Sequence, residues 1–102
     1  MMKVTVMYGH PTSPEQFEKY YASVHMPIAA KMKGLERLEL TKFVGGPDGG
    51  APAFYRMAEA YFATQAQMEQ CLGSPEGKAT VADLANFATG GVTVIIGSVE
   101  PT

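Results

Sequence analysis

The chain has 102 residues, of which 46% are hydrophobic and 18% are charged. Its length suits a single domain over residues 1–102, and its charged fraction is below the ~25% that is typical of globular proteins. Eight Lys and Arg against ten Asp and Glu give a net charge of −2 without a basic cluster, so binding to nucleic acid is not expected. The single cysteine, Cys71, and the absence of a long apolar run favour a cytoplasmic protein without membrane contact.

The first half of the chain predicts a strand, a helix and a hairpin. Alternating side chains over residues 3–10 indicate the strand, and an N-capping pattern at Ser13 predicts a helix that runs to Gly34. Two further strands, over residues 35–44 and 54–62, flank a glycine-rich loop, as expected of a hairpin. The helix should bury a stripe of apolar residues at helical spacing: Phe17, Tyr20, Tyr21, Val24, Ile28 and Met32.

The second half predicts two helices and a last strand. Thr64 caps a short helix that Gly73 ends, and Ser74 caps another helix that Gly90 and Gly91 end. Residues 92–99 are apolar and β-branched, which is typical of a strand. The resulting order, βαββαβ, is that of a ferredoxin-like α+β fold, in which helices cover one face of an antiparallel sheet.

Both faces of this sheet are predicted to carry large apolar side chains. One phase of the strands contains Val4, Val6, Val94 and Ile96, and the other contains Met7, Phe43, Ile95 and Val99. Helices on one side would leave the second set exposed to water, at a cost of about 25 cal/mol for each Å² of apolar surface. We therefore predict a homodimer that forms through the sheet face opposite the helices.

His25 is the leading candidate for a functional group. It is expected at the edge of the apolar stripe of the first helix, and imidazole is suited to accept or donate a proton near neutral pH. Two residues later, Pro27 lacks the N–H that would bond the Ser23 carbonyl, so a kink is expected there. The alternative is a structural, half-buried histidine that bonds a backbone carbonyl or a tyrosine hydroxyl.

Glu59 and His10 are weaker candidates. If Glu59 faces the helices, burial would favour its protonated form and suit it to proton transfer, whereas on the other face it would be a solvated or interfacial charge. His10 follows the first strand and is typical of a loop residue. The spacing of His10, His25 and Glu59 does not support an iron site, and Cys71 has no identifiable neighbouring base. No metal site and no nucleophilic cysteine are expected.

One motif in the first helix is more specific than these single residues. It reads Phe17-x-x-Tyr20-Tyr21-x-x-x-His25-x-Pro27-Ile28, and with residues 52–62 and 74–87 it resembles the EthD family, a branch of the dimeric α/β-barrel proteins. The resemblance implies a ferredoxin-like protomer whose sheet joins a second sheet in a barrel, with a pocket between each sheet and its helices. Relatives in the wider superfamily include cofactor-free monooxygenases, isomerases, cyclases and haem enzymes, so the fold alone does not select a reaction. No haem-ligating pattern matches, and no cofactor is expected.

The residues and the resemblance together favour a cofactor-independent enzyme. It would act on an apolar or aromatic metabolite in a catabolic or secondary-metabolic pathway, with His25 transferring a proton and Tyr21, Tyr8 or Glu59 assisting. The predicted ligand pocket comprises six residues: Tyr8, Phe17, Tyr20, Val24, Ile28 and Tyr55. The alternative is a non-catalytic dimer that binds a hydrophobic compound or supports an oxygenase system.

Overall fold

The structure is a computed structural model that describes residues 1–102. The elements of its first half are β1 (Met2–Tyr8), α1 (Pro14–Tyr20), a π-helical turn (Tyr21–His25), α2 (Met26–Ala29) and β2 (Arg37–Lys42). Those of its second half are β3 (Arg56–Phe62), α3 (Gln65–Gly73), α4 (Pro75–Asp83), a 3₁₀ turn (Leu84–Asn86) and β4 (Val92–Ser98). None of these helices has the length and apolar character needed to cross a bilayer.

The four strands form one antiparallel sheet in the order β2-β3-β1-β4. The central strand β1 places Val4 opposite Ala60 of β3 and opposite Ile96 of β4. β2 and β3 form the predicted hairpin. This topology is the ferredoxin-like α+β fold that the order of elements predicts.

The two faces of the sheet differ in what covers them. Val4, Tyr8, Ala60 and Phe62 point towards the helices and are buried in the core. Residues of the alternate phase lie on the face without helices, which we call the open face. The exposed apolar side chains of the sheet are concentrated on its two edge strands: Leu38, Leu40, Val92, Val94, Ile95 and Ile96. Of this set only Ile95 lies on the open face, and the other five are in the phase that faces the helices.

The first helix changes its hydrogen-bond pattern immediately before Pro27. The Met26 N–H bonds to the carbonyl of Tyr21, five residues earlier, so residues 21–25 form a π-helical turn. Since proline has no N–H, the α-helical pattern cannot pass through this position unbroken. The predicted disturbance at Pro27 thus takes the form of a widened turn.

The widened turn moves the buried face of the helix by one residue. Because the π turn contains one extra residue, side chains four positions apart in the sequence stay on the same face of the helix. The buried face therefore consists of Phe17, Tyr21, His25 and Ala29. Val24 is 38% exposed and Ile28 is partly exposed, so the predicted stripe through these two residues is wrong. Helical structure also ends at Ala29 instead of Gly34.

Candidate functional site

A buried histidine–carboxylate pair joins the π turn to the end of α4. The Nδ1 atom of His25 lies 2.9 Å from Oδ2 of Asp83, and the two residues are only 4% and 6% exposed. An ionised carboxylate only accepts hydrogen bonds, so Nδ1 carries the hydrogen and the lone pair of Nε2 is left free in the neutral ring. The expected position of His25 at the edge of the helix stripe is wrong, because the π turn rotates the residue into the core.

Asp83 is the functional candidate that the sequence analysis did not identify. The only indication of Asp83 in the sequence was its position in the segment 74–87, which resembles the EthD family. The Tyr20 hydroxyl donates to Oδ1 over 2.6 Å, and the Asn86 amide donates to the same oxygen over 3.0 Å. Burial by itself raises the pKa of the Asp83 carboxyl, but the hydrogen bonds from Tyr20, Asn86 and His25 outweigh it and hold the pKa below its ordinary value. Asp83 is therefore ionised at neutral pH.

Aromatic packing fixes the orientation of the His25 ring. The Tyr21 ring is stacked with it at a centroid distance of 5.7 Å and an interplanar angle of 16°. Phe87 lies against the imidazole at a centroid distance of 4.6 Å. The same cluster contains Tyr8 and Phe17, so the imidazole is held by packed rings as well as by Asp83.

A cavity of about 60 Å³ lies between the helices and the sheet. Sixteen of its eighteen lining residues are hydrophobic, and the other two are His25 and Thr80. The Thr80 hydroxyl donates to the Glu76 carbonyl over 2.8 Å. His25 is thus the one residue in the wall that can accept a proton near neutral pH. The cavity combines a largely apolar wall with one imidazole, that of His25.

Three of the predicted site residues line this cavity, namely Tyr8, Tyr21 and His25. Glu59 lies on the open face, where its carboxylate is 2.7 Å from the Lys3 ammonium group. The sheet separates Glu59 from His25, so the predicted assistance of His25 by Glu59 within one protomer is wrong. Strand alternation alone could not decide which face Glu59 occupies.

The other five predicted pocket residues do not line the cavity. Tyr20 is directed to Asp83, while Phe17 and Tyr55 pack in the aromatic cluster. Val24 and Ile28 are moved outwards by the π turn. These five residues therefore lie outside the wall that contains His25, and that wall is formed chiefly by aliphatic residues of the sheet and the helices.

His10 lies away from both His25 and Glu59. Its Nε2 atom is 2.7 Å from the Pro52 carbonyl oxygen, so it tethers the loop between β2 and β3. No group of three His, Cys, Asp or Glu residues is close enough to hold a metal ion.

An ion-pair network fastens α1 to β3 beside the aromatic cluster. The Arg56 guanidinium makes two hydrogen bonds to the Glu18 carboxylate, of 2.6 and 3.0 Å, and the Tyr55 hydroxyl adds a third of 2.9 Å. The guanidinium carbon also lies 4.8 Å from the centre of the Tyr21 ring. The hydrogen bonds of Arg56 lower the pKa of the Glu18 carboxyl.

Replacement of Tyr20 tests the account of Asp83. Tyr20→Phe removes the shortest hydrogen bond to the carboxylate, so we expect the pKa of Asp83 to rise. Because folding lowers the pKa of Asp83, its ionised carboxylate stabilises the fold fully at pH values above the ordinary carboxyl pKa of about 4. This stabilisation is lost as the pH falls through the pKa that Asp83 has in the folded protein. The Tyr20→Phe variant should therefore lose this stabilisation at a higher pH than the unsubstituted protein does. The measurement is a ¹³C NMR titration of the Asp83 carboxyl carbon.

Tyr61→Phe is the matched control, since the Tyr61 hydroxyl lies 3.4 Å from Glu59 on the open face. It should leave the titration of Asp83 unchanged. If Asp83 titrates identically in Tyr20→Phe and in the unsubstituted protein, the hydrogen bond from Tyr20 has no role in keeping the carboxylate ionised.

Comparisons with known proteins agree with this architecture. A family model described as the EthD domain matches residues 9–91. An uncharacterized 11.0 kDa protein of Rhodococcus erythropolis, from the thcB–thcC intergenic region, is 39% identical over 95 residues, which are 93% of this chain and 91% of that protein.

Solved structures show the same fold. The ethyl tert-butyl ether degradation (EthD) family protein of Bacillus halodurans C-125 is similar with a TM-score of 0.90 and 32% identity, covering 98% of this chain and 99% of that chain. A variant of SnoaB, a cofactor-independent oxygenase from Streptomyces nogalater, is similar in fold, with a TM-score of 0.66, 17% identity and coverage of 99% and 93%. On the extent of the family match and the identity to these relatives, the chain belongs to the EthD family.

Proposed function

We propose that the protein is a cytoplasmic, cofactor-independent enzyme that transfers a proton on an apolar or aromatic metabolite. The observation that carries this proposal is the buried Asp83–His25 pair, whose histidine belongs to the wall of a largely apolar cavity. A cavity of this composition selects apolar ligands and leaves one group able to react with them. The description of SnoaB as a cofactor-independent oxygenase supports the same class of chemistry.

His25 would act as the general base. Its Nε2 lone pair takes a proton from a C–H or O–H group of the bound ligand, and the imidazolium that forms is stabilised by the adjacent carboxylate of Asp83. Apolar surroundings strengthen this charge interaction compared with water. Lyase, isomerase and monooxygenase reactions can each begin with such a proton transfer, so the base defines a common first step.

Two buried tyrosines would serve as neutral hydrogen-bond donors. Burial raises the pKa of the Tyr8 hydroxyl and, although the Arg56 charge opposes it, also that of Tyr21. Both hydroxyls consequently keep their protons at neutral pH. They suit the stabilisation of an oxygen atom that gains negative charge during the reaction.

The proposed active form is a homodimer that uses the open face. Two ion pairs lie on this face, Lys3–Glu59 at 2.7 Å and Arg37–Glu39 at 3.3 Å. Because the charges within each pair cancel, a two-fold related copy can pack against this face without net repulsion. Ile95 lies on the same face of the edge strand β4 and is 55% exposed. Burial of the Ile95 side chain between two copies would favour association.

A non-catalytic ligand-binding or accessory protein is the alternative function. The apolar lining of the cavity favours it as much as it favours an enzyme, because a carrier needs only complementary apolar walls. The two proposals differ in what they require of His25. An enzyme needs its free nitrogen, whereas a carrier binds its ligand without it.

The compound 5-nitrobenzisoxazole tests the proposed base without knowledge of the natural substrate. It is apolar and aromatic, and it opens to a coloured phenolate once a single C–H proton is removed. We expect the protein to accelerate this opening and His25→Gln to lower kcat/KM by about 10²–10⁴-fold, the usual contribution of a general base. Initial rates are followed by absorbance.

His10→Gln is the matched control, because it removes the chain's other histidine, which bonds the Pro52 carbonyl outside the cavity. Its rate should equal that of the unsubstituted protein. Retention of the full rate in His25→Gln would show that His25 is not the base. Binding of the compound without acceleration would instead favour the carrier.

Sedimentation tests the dimer. We expect the unsubstituted protein to sediment as a dimer at micromolar concentration, and Ile95→Lys to shift it towards monomer by placing a charge in the interface. Val44→Lys is the control, since Val44 is 96% exposed but lies beyond the end of β2, in the loop towards β3. A monomeric unsubstituted protein would rule out the proposed assembly.

A further inference from the structure

The hydroxyl of Tyr21 is the one buried side-chain oxygen or nitrogen in the protein that lacks a hydrogen-bond partner. Tyr21 is 3% exposed, and its side chain forms part of the cavity wall. An unpaired hydroxyl in an apolar interior is unfavourable, because it has lost its bonds to water without replacement. Folded proteins keep few such groups, and those they keep are often completed by a ligand or an ordered water.

The side chains packed against Tyr21 make no hydrogen bond to its hydroxyl. The Arg56 guanidinium packs over the ring and is committed to Glu18 through two hydrogen bonds. Nδ1 of His25, whose ring stacks on that of Tyr21, is committed to Asp83. The rest of the wall is almost wholly apolar. A molecule that enters the cavity can therefore supply the partner that the hydroxyl lacks.

A ligand oxygen fits this site better than water does. Water alone would leave most of the wall without a bonding partner, because fourteen of the eighteen lining residues carry no N–H or O–H group on their side chains and only Tyr8, Tyr21, His25 and Thr80 do. An apolar molecule with one hydrogen-bond-accepting oxygen would satisfy the hydroxyl and fill the remaining space with hydrocarbon. The stacking of Tyr21 and His25 would keep that oxygen close to the base.

We propose that the Tyr21 hydroxyl donates a hydrogen bond to the carbonyl oxygen of the ligand, and that the substrates are apolar ketones with a hydrogen on the neighbouring carbon. This inference rests on the proposed function and names its substrate class. The proton moves from that carbon to Nε2 of His25, and the C–H electron pair forms the C=C bond of an enolate. The carbonyl π electrons move to the oxygen, where the Tyr21 hydroxyl stabilises the charge. The step requires no oxidant or reductant.

The Tyr21 hydroxyl is sealed from solvent in the free protein, so a ligand reaches it only if a neighbouring side chain moves. Met26 lines the cavity and packs against the aromatic cluster that contains Tyr21. An unbranched thioether side chain changes its conformation readily and adapts to a varied partner. Movement of this side chain would open space beside the Tyr21 ring.

Two compounds of nearly equal shape test the hydrogen bond. Acetophenone carries a carbonyl oxygen where α-methylstyrene carries a CH₂ group. The protein should bind acetophenone about three- to tenfold more tightly, as measured by NMR titration on the Met26 methyl signal. Tyr21→Phe should abolish this preference by weakening the binding of acetophenone alone. Tyr61→Phe, which removes a hydroxyl from the open face, should retain it.

The stability of Tyr21→Phe gives a second readout that needs no ligand. Removal of an unpaired buried hydroxyl should raise the midpoint of thermal unfolding, and this result also shows that the variant folds. A lower midpoint would mean that the hydroxyl already has a partner in the free protein and would overturn the inference.

Three binding outcomes would also overturn the inference: equal affinities for the two compounds, no measurable binding of either, or a preference that survives in Tyr21→Phe. Exchange of deuterium into the acetophenone methyl group tests the proposed function separately, because it requires His25. A Tyr21-dependent preference without exchange would support the role of Tyr21 in recognising a ketone and would contradict the proposed proton transfer.

Discussion

A proline without an N–H determines the geometry on which the site depends. Because Pro27 interrupts the α-helical pattern, residues 21–25 adopt a π turn, and the turn carries one extra residue. The extra residue in the turn rotates His25 from the edge of the helix into the core, where His25 contacts Asp83 and packs against the aromatic cluster. A regular α-helix would direct Val24 inwards and leave the histidine nearer to water.

Hydrogen bonds stabilise the buried charge at the site, and one buried hydroxyl is left without them. Loss of water around Asp83 opposes its ionisation, and three hydrogen bonds from Tyr20, Asn86 and His25 compensate for that loss. The result is a charge held in the core on one side of the imidazole and an apolar cavity on the other. Tyr21 is the exception, since its buried hydroxyl has no partner within the chain. Such a deficit is rare in a folded core, and the proposed ligand would supply the missing partner.

The fold followed from the sequence because its signals are local. Capping at Ser13, Thr64 and Ser74 and the alternation of the strands define the elements, and their order defines the topology. The pairing of His25 with Asp83 spans 58 positions in the sequence, and no local pattern reports it. The π turn was equally hidden, since a helical period of 3.6 residues assigns the inner face to Val24 and Ile28. The sequence could not show on which face of the sheet Glu59 lies relative to the helices, because the side that the helices cover is a property of the tertiary structure.

The proposed chemistry requires a neutral His25 that carries its hydrogen on Nδ1 and leaves the lone pair of Nε2 free. Long-range ¹H–¹⁵N NMR of the two ring nitrogens, at a pH high enough to keep the imidazole neutral, measures this most directly. The account predicts a protonated Nδ1 bonded to Asp83 and an unprotonated Nε2. The opposite tautomer, with the hydrogen on Nε2, would contradict it, because neither the base nor its hydrogen bond to an ionised Asp83 would then exist.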